Sequence, residues 1–152
     1  MSHPDSGTIS SPDGEHIAYL KRAGSTPGVV WLGGFKSEMT ATKASALDAW
    51  AEHHGHAYVR FDYLGHGSSS GTFREGTITR WRDDALAVLD QLTVGPQILV
   101  GSSMGAWLAL LVALVRPKKT AALLLIAPAT DFTESLLWNN IGAEARSQIL
   151  DT

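Results

Sequence analysis

The stretch that most constrains this chain is Gln97-Ile98-Leu99-Val100-Gly101-Ser102-Ser103-Met104-Gly105-Ala106-Trp107, which runs on into apolar residues 108–115 and Arg116. A short aliphatic strand signal, a Gly-x-Ser-x-Gly pentapeptide and a long apolar helix signal, in that order, describe a nucleophile elbow: a serine held on a tight strand-to-helix turn. The spacing selects Ser103 over Ser102. Gly101 and Gly105 lie two positions either side of Ser103, where a side chain would collide with the neighbouring strand or helix as the turn closes. The helix starts without a polar cap, so the amide of Met104 is free to face the space above the serine hydroxyl. There it can donate to an oxygen that becomes negative during acyl transfer. A buried strand-turn-helix whose glycines and serines only make the turn is the competing reading, and the flanking strand and helix favour the functional one.

The rest of the chain supplies a sheet around this element. Residues 8–10 and 16–22 predict an edge hairpin about the turn Ser11-Pro12-Asp13-Gly14. Val29-Val30-Trp31-Leu32 is a continuous apolar strand of the kind buried on both faces of a parallel sheet. It ends in Gly33-Gly34-Phe35, where the glycines let the backbone turn sharply and the Phe35 amide can face the elbow as a second oxyanion donor. Gly34 and Gly105 are therefore both expected to resist substitution. Residues 41–54 predict a helix laying Ala44, Leu47, Trp50 and Ala51 on the sheet, and Gly55 ends it. Residues 57–61 predict the next strand, followed by a Gly- and Ser-rich loop over 62–71, at the strand end where open parallel sheets hold ligands. Residues 77–92 predict an amphipathic helix with Arg80, Arg82, Asp83 and Asp84 on its solvated face.

After the elbow helix, residues 121–126 predict another fully buried strand, and 131–138 and 141–150 predict short amphipathic helices over the sheet, where a substrate lid would sit. The expected organisation is a core over 1–130 and the start of a lid over 131–152. Strands alternating with helices make this an α/β fold with a mostly parallel sheet flanked by helices.

His66 is the only histidine near the expected site, and a serine nucleophile requires a general base. The glycines and serines around it equally describe a plain turn. His53, His54 and His56 cluster at a helix end, but adjacent helical positions diverge and no carboxylate motif accompanies them, so no metal site is expected. With 152 residues a sizeable core is possible. A net charge of −3 with no basic stripe or acidic tail argues against nucleic-acid partners. The lack of cysteine excludes disulfides and a thiol nucleophile. Residues 1–7 are polar with no apolar signal region, and the apolar stretch 98–115 is interrupted by Gly101, Ser102, Ser103 and Gly105, so neither a secretory leader nor a membrane span is expected. The expected location is cytoplasmic.

Three segments carry a family resemblance: Trp31-Leu32-Gly33-Gly34-Phe35, residues 60–69 (Arg-Phe-Asp-Tyr-Leu-Gly-His-Gly-Ser-Ser), and residues 95–105 up to Gly105. Together they resemble the α/β-hydrolase superfamily over nearly the whole chain. The likeness is strongest to its serine esterases and thioesterases, the group that includes mitochondrial palmitoyl-protein thioesterase and acyl-glucuronide esterase, and Lys36-Ser37-Glu38-Met39 and the lid start at Asp131 fit that group. The resemblance implies Ser103 as nucleophile, the amides of Phe35 and Met104 as oxyanion hole, an ester or thioester substrate on a small molecule or acyl-protein, and no metal or organic cofactor.

It also implies an acid after a seventh strand and a histidine after an eighth, whereas no histidine occurs after His66. Asp131 follows the sixth strand, where some lipases of the superfamily keep their acid, but has no downstream histidine to orient. The expectation is that these residues are the amino-terminal part of a longer hydrolase, truncated after the sixth strand, almost inactive alone, and open to self-association along the sixth strand. Acyl transfer, haloperoxidase or lyase chemistry would use a similar elbow. A non-catalytic ligand-binding or interaction module is the alternative of a different class.

Overall fold

The computed structural model describes residues 2–150. Its strands are β1 (Asp5–Ser10), β2 (His16–Arg22), β3 (Ser25–Leu32), β4 (His56–Phe61), β5 (Gln97–Ser102) and β6 (Thr120–Ile126). Its α-helices are α1 (Thr42–His54), α2 (Ile78–Leu92), α3 (Met104–Val115) and α4 (Ala143–Leu150). One sheet runs in the order β1-β2-β4-β3-β5-β6. The β1–β2 and β2–β4 pairs are antiparallel, and β3 pairs in parallel with both β4 and β5, as β5 does with β6. This is the mostly parallel α/β-hydrolase sheet expected from the sequence.

The apolar run of β3 is explained by its two neighbours and its two covered faces. Val29 and Trp31 pack with Tyr58, Val100 and the small residues Ala44 and Ala51 of α1. Val30 and Leu32 point the other way, into a core with Leu99, with Trp81, Val88 and Leu89 of α2, and with Met104, Leu108 and Val112 of α3. Period-two alternation thus divides one strand between two layers. Burying each of the larger side chains contributes on the order of 1.5–3 kcal/mol. Polar links fasten α2 to α3: Arg116 and Lys119 reach Asp90 at 3.0 and 2.9 Å.

Three expectations need correction. Trp50 does not lie on the sheet: it is 40% exposed, and its ring stacks on those of His54 and His56. Facing inward beside Ala44 and Ala51 is instead Asp48, bridged to Arg22 at 2.6 Å and to Arg60 at 3.3 Å. Asp84 is not solvated but 1% exposed. It accepts a 2.8 Å hydrogen bond from the Leu64 amide, and burial pushes its carboxyl up to about 7. Finally, β6 is not fully buried. Among the described residues no strand pairs with its outer edge, and Leu124 is 54% exposed.

Beyond β6 the chain forms a turn of π-helix over Thr133–Leu137, a 3₁₀ turn over Trp138–Asn140 and then α4, in place of two regular helices.

Candidate active site

Ser103 caps the N-terminus of α3 with φ 56° and ψ −118°. That is a conformation a non-glycine residue adopts at a cost of about 1–3 kcal/mol, and only when its surroundings hold it there. They do. Its amide donates to Ile126 O at 2.9 Å, and its carbonyl accepts from Ala106 N at 3.0 Å and Ala129 N at 3.2 Å. The flanking glycines permit the close packing. A Cβ on Gly101 would come within 2.6 Å of Ala106 N, and one on Gly105 would overlap the Leu32 carbonyl oxygen and lie 2.5 Å from Gly33 O. The result separates two adjacent serines: Ser103 is exposed at the tip and Ser102 is buried beneath it.

Gly34, Phe35, Ser102 and Ser103 line one cavity of ≈ 350 Å³ at the carboxyl end of the sheet, with Trp31 and Lys43 also in its wall. The sequence therefore brings the elbow and the loop after β3 together. Met104 opens α3 and is fully buried, and as the helix's first residue its amide has no intrahelical acceptor. Phe35 lies in a turn closed by Ser37 N donating to Gly34 O at 3.1 Å. Its ring meets Phe73 at 5.1 Å, Trp81 at 6.0 Å and Phe132 at 5.6 Å, and Phe132 in turn meets Trp107 at 6.1 Å. Rings from five segments of the chain thus form an aromatic wall that begins at Phe35, which shares a cavity with Ser103.

The end of β4 and the segment after it grip the loop that follows β3 at several points. Tyr63 Oη donates to Gly33 O at 3.0 Å, Asp62 Oδ1 accepts from Met39 N at 2.7 Å, and Arg60 donates to Met39 O at 2.9 Å. Sequence reasoning passed over Arg60, Asp62 and Tyr63. The signal was available: charged residues at the end of an otherwise buried strand are too costly to bury without partners.

His66 is 4% exposed, and both its ring nitrogens are committed: Nδ1 to Leu64 O at 3.0 Å and Nε2 to the amide of Lys36 at 3.1 Å. An imidazole whose Nε2 already accepts a hydrogen bond from Lys36 has no lone pair left for a serine proton, so this histidine does not serve Ser103 as base. Asp131 sits at φ 55° with its carbonyl accepting from Ser135 N and Oγ at 2.9 and 2.8 Å, the geometry of a turn former. Among the described residues no helix is long and apolar enough to cross a membrane.

Comparison with known proteins places these features in context. The human protein named palmitoyl-protein thioesterase ABHD10, mitochondrial, is 43% identical over 141 residues, which are 93% of this chain and 46% of the human one. The chain thus spans about half the length of the curated relatives it matches. The solved structure of mouse alpha/beta hydrolase domain-containing protein 10 superposes with a TM-score of 0.86 at 39% identity, covering 95% of this chain and 58% of that one. A protein from Agrobacterium vitis S4, carrying only a general hydrolase designation, superposes with a TM-score of 0.92 at 40% identity over 99% of this chain and 62% of its own.

These relatives overturn the cytoplasmic expectation, since the matched thioesterases are designated mitochondrial. Neither the lack of cysteine nor a polar first few residues distinguishes those two compartments. The sequence model of the alpha/beta hydrolase family matches residues 25–151, and the chain belongs to that family.

Proposed function

We propose that this chain carries the nucleophile and oxyanion hole of a serine hydrolase that cleaves carboxylic esters or thioesters through an acyl-enzyme on Ser103. The observation that carries the reading is the elbow itself: an exposed hydroxyl on a strained backbone, over buried glycines that leave no room for a side chain. A fold with no use for that hydroxyl would have no reason to keep the strain.

In the proposed reaction Ser103 Oγ attacks the substrate carbonyl carbon, and the amides of Phe35 and Met104 hold the oxygen as it becomes negative. Collapse of the tetrahedral intermediate breaks the bond to the alcohol or thiol, which leaves with the proton taken from the serine. Water then repeats the attack and releases the acid. The base that carries the proton is a residue other than His66. The thioesterase designations of the relatives support an acyl-thioester substrate. The aromatic wall of Phe35, Phe73 and Phe132 supports an apolar acyl group. Residues 131–150 are assigned as the start of a lid because Phe132 closes that wall, and a mitochondrial location follows the relatives' designation.

The test is covalent labelling of the full-length protein with a fluorophosphonate. The adduct is expected on Ser103, and Ser103→Ala should abolish labelling and lower p-nitrophenyl acetate turnover by about 10⁶. Labelling of Ser102, or labelling that survives Ser103→Ala, would overturn the assignment. With His66 committed elsewhere, the 152-residue chain assayed alone should turn over close to the Ser103→Ala background.

A further inference from the structure

The geometry points to a task for the loop after β4 that rests on the hydrolase reading: His66 is the positioning residue that holds the Phe35 amide in the oxyanion hole. The peptide group is planar, so the Gly34 carbonyl and the Phe35 N–H point in opposite directions from one rigid unit. Ser37 N donates to that carbonyl at 3.1 Å, which fixes where the Phe35 N–H aims only while the turn 34–37 keeps its shape. The turn holds Lys36 at φ 59°, a left-handed conformation that is uncommon for a non-glycine residue and gains from support. The support is the Lys36 amide's hydrogen bond to His66 Nε2 at 3.1 Å.

The imidazole is held in the form this needs. Leu64 O can only accept, so Nδ1 carries the proton in its 3.0 Å contact; Lys36 N–H can only donate, so Nε2 is the bare nitrogen. The ring cannot swing away, because Tyr63, Phe73 and Trp81 surround it with centroids at 5.6, 5.3 and 5.2 Å. Leu64 is anchored in turn: its carbonyl also accepts from Trp81 Nε1 at 3.1 Å, and its amide donates to Asp84. A line of hydrogen bonds therefore runs from α2 through Leu64 and His66 to the turn that presents Phe35. The Asp62 and Tyr63 bonds described above hold the ends of the same loop, and His66 holds its middle.

Three variants of the full-length protein separate this role from general packing. His66→Gln keeps an acceptor where Nε2 lies, His66→Asn keeps only the donor near Nδ1, and His66→Leu keeps only apolar bulk. Loss of a whole oxyanion donor lowers kcat by about 10²–10³, so a donor left in place but loosely aimed should cost about 10–100-fold. That loss is expected in kcat for the Asn and Leu variants, with KM within about twofold and Gln recovering most of the rate. Hydrogen exchange of the Lys36 amide should be slow in the parent and in His66→Gln, and fast in His66→Leu.

A His66→Leu enzyme with parental kcat would overturn the assignment. If the Asn and Leu variants fail to fold, a folded His66→Gln with parental kcat and a protected Lys36 amide supports it, and parental kcat with an unprotected amide overturns it. If Ser103→Ala leaves turnover unchanged, the hydrolase reading is what has failed. The Lys36 exchange then decides the anchoring alone: faster exchange in His66→Leu upholds the anchor, and unchanged protection overturns it.

Discussion

The strands β3 and β6 are almost alike as sequence, Val29-Val30-Trp31-Leu32 against Leu123-Leu124-Leu125-Ile126, and unlike in the folded chain. Val30 and Leu32 are each 1% exposed, whereas Leu123 and Leu124 are 38% and 54% exposed. The difference is one of neighbours. β3 has β4 and β5 on its edges and helices over both faces, while among the described residues β6 pairs on one edge only, with β5. Apolar content makes a strand available for burial, and topology decides whether it is buried. The consequence for the candidate site is that Ser103, the loop after β3 and the residues that hold them all belong to the closed centre. The segments following β6 reach it mainly through Phe132, and Leu136, Leu137 and Leu150 remain exposed.

The largest expected effect comes from pressing on that closed centre. Gly105→Val places a branched side chain where even a Cβ overlaps the Leu32 carbonyl, and the obstacle is backbone of the central strand that cannot step aside. Destabilisation above about 4 kcal/mol is expected, read as loss of soluble folded protein or a collapsed denaturant midpoint. Gly34 is different. A Cβ there would lie 3.4 Å from Ser102 O and 3.6 Å from Ser103 Cβ, ordinary contact. Gly34→Ala should fold with nearly parental thermal stability yet react more slowly with a fluorophosphonate, because its methyl takes up space beside Ser103. Equal thermal losses in the two variants would mean that the two glycines share one structural role.

What was legible follows the same division. The elbow and the meeting of Gly33-Gly34-Phe35 with Ser103 were readable because a motif with its own backbone geometry carries them: glycine spacing, an uncapped helix and flanking strand. Placing Asp48 and Asp84 was not possible from helical periodicity, which treats every carboxylate as solvated. Each is buried because a specific partner from another segment waits for it, Arg22 and Arg60 for one and the Leu64 amide for the other. The role of His66 was hidden for a related reason. Its partner Lys36 is 30 residues away, and a sequence offers no sign that a backbone amide, rather than a serine, takes the imidazole. For residues 121–126 the open edge was legible and the full burial was not: Leu123 and Leu124 are exposed because β5 is the only strand that pairs with β6 among the described residues.

An intermediate effect should come from Asp84, the buried carboxyl of the closed centre. Burial raises its folded value to about 7, from an ordinary value of 3.8 in the unfolded chain. Between those values the unfolded chain has released the proton and the folded one still holds it, so stability falls as pH rises from about 4 to about 7, then levels off. At 1.36 kcal/mol per unit the whole window corresponds to about 4 kcal/mol. Asp84→Asn keeps a carbonyl oxygen for the Leu64 amide and cannot ionise. Urea midpoints measured near about pH 4.5 and about pH 7.5 should therefore drop with pH in the parent by clearly more than in the variant. Parallel pH profiles would show that Asp84 is ionised in the fold, with water reaching it.

The smallest effect on stability, and the one that reaches the open side of the comparison, is expected at Leu124. An exposed leucine on a strand with an unpaired edge gives little to the fold but gives another copy of the chain something to hold, through main-chain pairing at the edge and apolar contact beside it. Leu124→Lys should therefore change the unfolding free energy by no more than about 0.5 kcal/mol. The same substitution should reduce self-association, because it sets a charge on the surface where two copies would meet. Sedimentation velocity of the 152-residue chain across a concentration series reads this directly: a rising average mass for the parent and a flatter one for the variant. Should the parent stay monomeric at every concentration while Leu124→Lys costs more than about 2 kcal/mol, Leu124 would be packed as deeply as a core residue. The contrast between β3 and β6 would then disappear, because a strand paired on one edge among the described residues would be as closed as one paired on both.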